Sequence, residues 1–393
     1  MFQQCKCAVR RRALGALGAA AAGVWALAGA GAATALGAPV FLPMPLGEQA
    51  LINPALLSGD GRVVAGSSDS GSVSRAWRWS IDQAGETFID APMGAGSMFV
   101  SGLSADGARI VGTAETPGSM VRAWDWRATG GGGAGGAVLV STPGSNVPVE
   151  SPQVSGDGTR LSGLALDSAV VLGGGGGGGV TILPDVNGQT PTVTALSFDG
   201  GAAAGLAGDL FVNARAFRWS EGGGAAGVTG LPAGFLATNV TISGDGQRVA
   251  GVAMSTGFQS VGFVAGADGV AGALPTIPGG GVFWPRSLSG DGLVMLGDDD
   301  QFLGQWVYVE GQGYRSVSEF LAAGGVDVGA LNSAYQVGAW YDMSDDARSF
   351  LALVRRREDM AQGYLVVTVP GAGAISVVGV GLLVLAAARP RRR

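Results

Sequence analysis

The chain has 393 residues, 72 of them glycine, with 47% hydrophobic and only 14% charged residues. With no triplet glycine period and this much apolar content, neither collagen nor a wholly disordered chain fits. Histidine is absent, and the only lysine (Lys6) and only cysteines (Cys5, Cys7) lie in the first ten residues. Beyond them, Ser-His-Asp and Cys-His catalysis, Schiff-base lysines, His or Cys metal sites and disulfides are excluded.

The N-terminus reads as an address. Lys6 and Arg10, Arg11 and Arg12 make a cationic start, residues 13–33 an acid-free apolar run, and Ala33-Thr34-Ala35 a small-x-small cleavage pattern. That order predicts a signal peptide over 1–35, and the adjacent arginines also permit a twin-arginine route.

Next comes one pattern, repeated. Ser58-Gly59-Asp60-Gly61 returns at Ser104, Ser155, Ser197, Ser243 and Ser289, with a worn seventh copy at Ser344-Asp345-Asp346-Ala347. A period of roughly 45 residues means an array of supersecondary units. Asp-Gly between short apolar runs predicts a hairpin turn, because glycine accepts positive φ there. A third strand carries aromatics: Arg75-Ala76-Trp77-Arg78-Trp79, Arg122-Ala123-Trp124-Asp125-Trp126 and Arg215-Ala216-Phe217-Arg218-Trp219. A fourth short strand ends near Leu183-Pro184, Leu231-Pro232 and Leu274-Pro275. Four short strands per unit predict an all-β fold, a β-propeller of about seven four-stranded blades over 36–369. The seventh unit is one strand short, and Val40-Phe41-Leu42-Pro43 resembles the strand it lacks. Pairing the two would close the ring and remove open edges.

The Ser-x-Asp-Gly turn, a Val-Gly strand and the Ala-Phe/Trp-Arg-Trp strand together resemble the bacterial extracellular HAF-type repeat. The closing segment of that family resembles residues 319–327, from Glu319 to Asp327. The third copy departs from the pattern at Ala169-Val170-Val171-Leu172, and the sixth carries Trp306 and Tyr308 instead. The resemblance implies an exported repeat protein and no particular reaction.

Other motifs yield bland readings. The glycine tracts at 130–136 and 173–179 lack the Gly-Lys-Ser/Thr ending or strand-to-helix context of a phosphate loop and read as flexible connections. Asp60, Asp106, Asp157, Asp199, Asp245 and Asp291 read as turn formers. Asp298-Asp299-Asp300 and Ser67-Ser68-Asp69-Ser70 are the better calcium candidates, against which stands the commoner solvated acidic loop. Trp79, Trp126 and Trp219 read as packing between blades, with Arg78 and Arg218 on the opposite face. Glu150, Glu310 and Glu319 stand outside the repeat, and none has a spacing that predicts a catalytic partner. No catalytic residue, cofactor or metal site is assigned.

The C-terminus mirrors the start. After Val369-Pro370-Gly371 comes an uncharged run, 374–388, then Arg389, Arg391, Arg392 and Arg393. The run is shorter than the ~20 residues that span a bilayer comfortably, and the arginines hold its end in the cytoplasm. Short motif, apolar helix and basic end resemble the PEP-CTERM sorting signal of Gram-negative bacteria, with Pro-Gly where the family has Pro-Glu-Pro. The resemblance implies an exosortase-type processing enzyme and transient membrane association over 370–393. A permanent anchor is the alternative.

Residues 1–35 and 370–393 hold four basic residues each and no acid, so the body between them carries −6 − 8 = −14. Such a surface repels nucleic acid. The expectation is therefore a non-catalytic propeller at the cell surface or in the matrix, with a structural, adhesive or ligand-binding role toward a polysaccharide or surface protein. The other reading is a secreted carbohydrate-active hydrolase or lyase using Asp/Glu pairs.

Overall fold

Each Ser-x-Asp-Gly segment folds the chain back between two antiparallel strands, for reasons visible in the first copy. Ser58 Oγ donates to Asp60 Oδ1 (2.6 Å) and accepts from the Val63 amide (2.8 Å). Asp60 Oδ1 also accepts from the Arg62 amide (3.0 Å), and Gly61 takes φ +73°. The serine is fully buried in all seven copies, so its hydroxyl replaces water for the turn amides.

The computed structural model describes residues 38–370 apart from 45–48, 51–54, 70, 72, 83–85, 119, 129–135, 144–146, 174–178, 211 and 303. The segments read as signal peptide (1–35) and sorting signal (370–393) lie outside it, save Pro370. Both glycine tracts fall largely outside it too, between described third and fourth strands.

Among the described residues there are seven antiparallel sheets, each one blade. Their first strands touch one another in sequence around the axis and are therefore innermost. They are Met98–Leu103, Glu150–Val154, Pro191–Leu196, Phe235–Ile242, Phe283–Leu288 and Tyr335–Met343 in blades 2 to 7. In blade 1 the innermost strand is split into Gln49–Ala50 and Leu56–Leu57.

Blade 7 takes its outermost strand from the start of the chain. Val40–Pro43 pairs antiparallel with Gln362–Thr368, Val40 opposite Val366 and Pro43 opposite Gly363. The expected ring closure is therefore found. Because Val40 lies beside Val366, and Val369 bonds back to the Arg348 carbonyl, Val40 and Val369 both lie at the Ser-x-Asp-Gly face.

That face is tied into a ring by backbone hydrogen bonds from turn to turn. Asp60 N donates to Ala105 O, Ala105 N to Gly156 O, Asp157 N to Phe198 O and Phe198 N to Gly244 O. Asp245 N then donates to Gly290 O, Gly290 N to Asp345 O and Asp345 N to Gly59 O, all at 2.6–2.9 Å. The turns crowd closely: a Cβ on Gly156 would sit 2.6 Å from the Phe198 ring.

Aromatic packing holds neighbouring blades together. Trp77, Trp124, Phe217 and Phe263 stand opposite Gly66, Gly112, Gly205 and Gly251 of the second strand. A Cβ on Gly112 would overlap the Phe99 carbonyl and lie 2.7 Å from the Trp124 ring, so only glycine fits. Trp126 and Trp219 are core residues as expected, while Trp79 is only partly buried.

Blades 6 and 7 are bridged by two short helices, Val317–Ala323 (α1) and Val328–Ala334 (α2). α1 begins with a capping box in which Ser316 and Glu319 each accept from the other's backbone amide. Phe320 and Leu321 bury their side chains in the core shared with Phe350.

Candidate functional site

The repeat aspartates are engaged in their own turns. Asp199, for example, accepts from the Gly201 amide and the Ser197 hydroxyl, which hold its carboxyl below the usual range. The clustered acids are likewise divided among separate donors. Asp69 accepts from Gly71 N, Asp299 from Gln301 N and Asp300 from Val282 N. Among the described residues no three metal-ligating side chains converge.

In blades 1, 2 and 4 an arginine reaches the turn of the next blade. Arg78 donates to Gly107 O (3.2 Å) and Arg218 to Gly246 O (2.9 Å), on the face opposite the aromatics. In blade 2 the matching residue is Asp125, and Arg109 takes over from the adjacent strand. It binds Asp125 through two bonds (2.8 and 2.9 Å) and reaches Gly158 O (2.7 Å). Arg248 is paired with Glu310 (2.5 Å). Glu150 is exposed at the start of its inner strand, apart from Glu310 and Glu319.

The arrangement best suited to a ligand lies between blades 6 and 7, beside α1. A cleft of ≈ 380 Å³ is lined by Arg286, Asp298, Phe302, Gln305 and the start of α1. Asp298 is nearly buried and binds Arg286 Nε. Gln305 fixes Asp298 from behind (2.8 Å) and is itself held by the Trp340 carbonyl (2.9 Å) and amide (2.6 Å). Among the described residues neither Nη nitrogen of Arg286 has an acceptor. The result is a guanidinium pinned at its root, with a two-pronged donor edge turned to an open cleft. Phe302 covers one side, its exposed ring set edge-on to Trp284 (5.3 Å between centroids). The Tyr341 phenol is close enough to sense the site: burial pushes it up, the Arg286 charge pulls it back and Asp298 adds to the rise.

None of this was singled out in the sequence, where Asp298 read as a calcium candidate. The available signal was an arginine, Arg286, at an inner-strand position that other copies fill with Ser101, Thr194 or Thr238. A second acid, Asp342, lies at the junction of blades 6, 7 and 1. It accepts from Leu57 N (2.9 Å) and Met343 N (2.9 Å), yet burial raises its pKa to about 6.

Seven sheets around an axis among the described residues, six of four strands and blade 1 with its inner strand split in two, define a seven-bladed β-propeller closed by Val40–Pro43. A solved structure bears out the fold, and others are more loosely similar. The β-propeller domain of the Trilobed protease from Pyrococcus furiosus matches with a TM-score of 0.51 at 8% identity, covering 80% of this chain and 94% of that one. The Cps50 (Swd1) β-propeller domain from Myceliophteria thermophila gives 0.49 at 10% identity, covering 84% and 100%. TolB from Acinetobacter baumannii gives 0.40 at 12% identity, covering 79% and 64%. No family model and no curated protein matches the chain.

Proposed function

We propose that this is an exported surface protein whose propeller binds an extracellular ligand without chemically altering it. The signal-peptide pattern of 1–35 sends it out. The segment 370–393 acts as a PEP-CTERM-like sorting signal, held and cut near Pro370 by an exosortase-type enzyme. The HAF-like repeats form the working body at the surface or in the matrix.

The observation that carries the binding role is Arg286, pre-positioned by Asp298 and Gln305 in an open cleft. Its free edge fits a carboxylate or sulfate of an acidic polysaccharide, and Phe302 offers a flank for a sugar ring. A hydrolase would need a second carboxyl acting with Asp298 across the cleft. Asp298 instead holds Arg286 and Gln305.

Calorimetry with alginate, a carboxylated polymer, and dextran, a neutral one, tests the reading. Alginate binding that Arg286→Gln weakens at least tenfold, with dextran inert, is the expected result. Equal heats for both polymers, or an unaffected variant, would overturn it.

A further inference from the structure

Arg75, Arg122 and Arg215 hold the same place, two residues ahead of the aromatic that faces the second-strand glycine. Side chains two apart on a strand share a face, so each arginine neighbours whatever the fourth strand sets opposite that aromatic. In blade 1 this is Phe88, opposite Trp77, and the Arg75 guanidinium lies 3.7 Å from the centre of its ring. In blade 2 it is Leu139, opposite Trp124. In blade 4 it is Gly227, opposite Phe217. Arg215 is exposed and, among the described residues, has no stacked ring, no acceptor and no acid partner.

The room left by the missing side chain is a cleft of ≈ 520 Å³, whose walls include Arg215, Gly227, Asn187, Gln189, Asn213 and Thr229. Its polar groups are held in place. Val186 and Gln189 pair across a two-residue Asn187-Gly188 turn, with φ +54° and +74°. That turn presents the Asn187 amide, which has no hydrogen-bond partner among the described residues. Its Nδ2 lies 3.1 Å from where a Cβ on Gly227 would stand. Asn213 Oδ1 accepts from the Asp209 amide (2.7 Å), and its Nδ2 donates to Gln189 Oε1 (3.1 Å). Gln189 Nε2 is thereby left for a ligand. No carboxylate lines the cleft; Asp185 and Asp209, the nearest acids in sequence, stand outside its walls.

We infer that this cleft takes the flat ring of a nucleobase, carried by an uncharged nucleoside, in the place that Phe88 fills in blade 1. A guanidinium stacks on a π-face, which a saturated sugar ring lacks. An amide with both its oxygen and its nitrogen free matches the donor and acceptor pair of adenine N6 and N7. The acidic body of the chain disfavours a ligand that carries phosphate.

Calorimetry with adenosine, ribose and N-acetyltyrosinamide is the test. Adenosine should bind at least tenfold more tightly than either of the others. Gly227→Phe copies blade 1 and fills the slot with the chain's own ring, so it should weaken adenosine at least tenfold. Arg215→Leu removes the stacking cation at an exposed position; it should cost as much affinity and leave the melting temperature in place. This second variant carries the test if Gly227→Phe fails to fold. Ribose that binds as well as adenosine would overturn the inference, as would adenosine binding unchanged in Arg215→Leu. Tighter binding of N-acetyltyrosinamide would also overturn it, by giving the slot to a partner's aromatic side chain. Alginate binding through Arg286 is a separate measurement, so either result stands without the other.

Discussion

Arg109 and Asp125 show how one repeat keeps a contact while changing its residues. Blade 1 uses Val63 and Arg78 where blade 2 uses Arg109 and Asp125, and both deliver a guanidinium to the next turn. Both partners in blade 2 are nearly buried, so Arg109→Val alone leaves Asp125 with only the more exposed Arg127 (3.3 Å) and should destabilise by about 2–3 kcal/mol. The double variant Arg109→Val/Asp125→Arg copies blade 1 and should recover most of that loss in urea unfolding. Asp342 makes a pH prediction of opposite sense to most carboxylates. Its folded pKa, about 6, lies above the ordinary 3.8, so the folded state holds the proton more tightly. Stability should therefore be fullest below pH 4 and fall as pH rises to 6, by on the order of 2–3 kcal/mol. Asp342→Asn should remove that slope from melting curves recorded between pH 4 and 7.

At the level of the strand, the glycines sort into two kinds. Gly112 faces a carbonyl and an indole ring across its own sheet, and Gly112→Ala should destabilise by about 3 kcal/mol. Gly136 has open space around it, and Gly136→Ala should leave the melting temperature unchanged. This contrast also explains what the sequence reveals. Turns, period and closing strand are legible because seven copies must satisfy the same local bonds, so Ser58, Asp60 and Gly61 recur with little change. The Arg286 cleft is illegible because it sits where copy 6 departs from the pattern, and Arg286, Asp298 and Gln305 meet only across strands. The left-handed turn residue Phe258 was equally hidden: between Gly257 and Gln259 it carries no periodicity, and its backbone conformation is a property of the folded turn.

At the level of the molecule, closure depends on Val40–Pro43. Deleting residues 1–44 exposes the edge of Gln362–Thr368 and should produce concentration-dependent aggregation, seen by light scattering. The ring of turn-to-turn bonds has a subtler property, one of parity. Around blades 1 to 6 the donor alternates between the aspartate amide and the amide before it: Asp60, Ala105, Asp157, Phe198, Asp245, Gly290. Blade 7 should then use Asp346, but it uses Asp345. An odd ring cannot carry a two-step alternation without a phase slip, and here the slip falls between blades 6 and 7. The same pair holds the helical bridge and the Arg286 cleft. A strictly even rhythm would have no preferred place to yield, whereas this one has a built-in dislocation beside its binding cleft. Amide exchange should locate it: Gly290 and Asp345 should exchange ahead of their counterparts Phe198 and Ala105, and uniform protection around the ring would show the slip to be without mechanical effect.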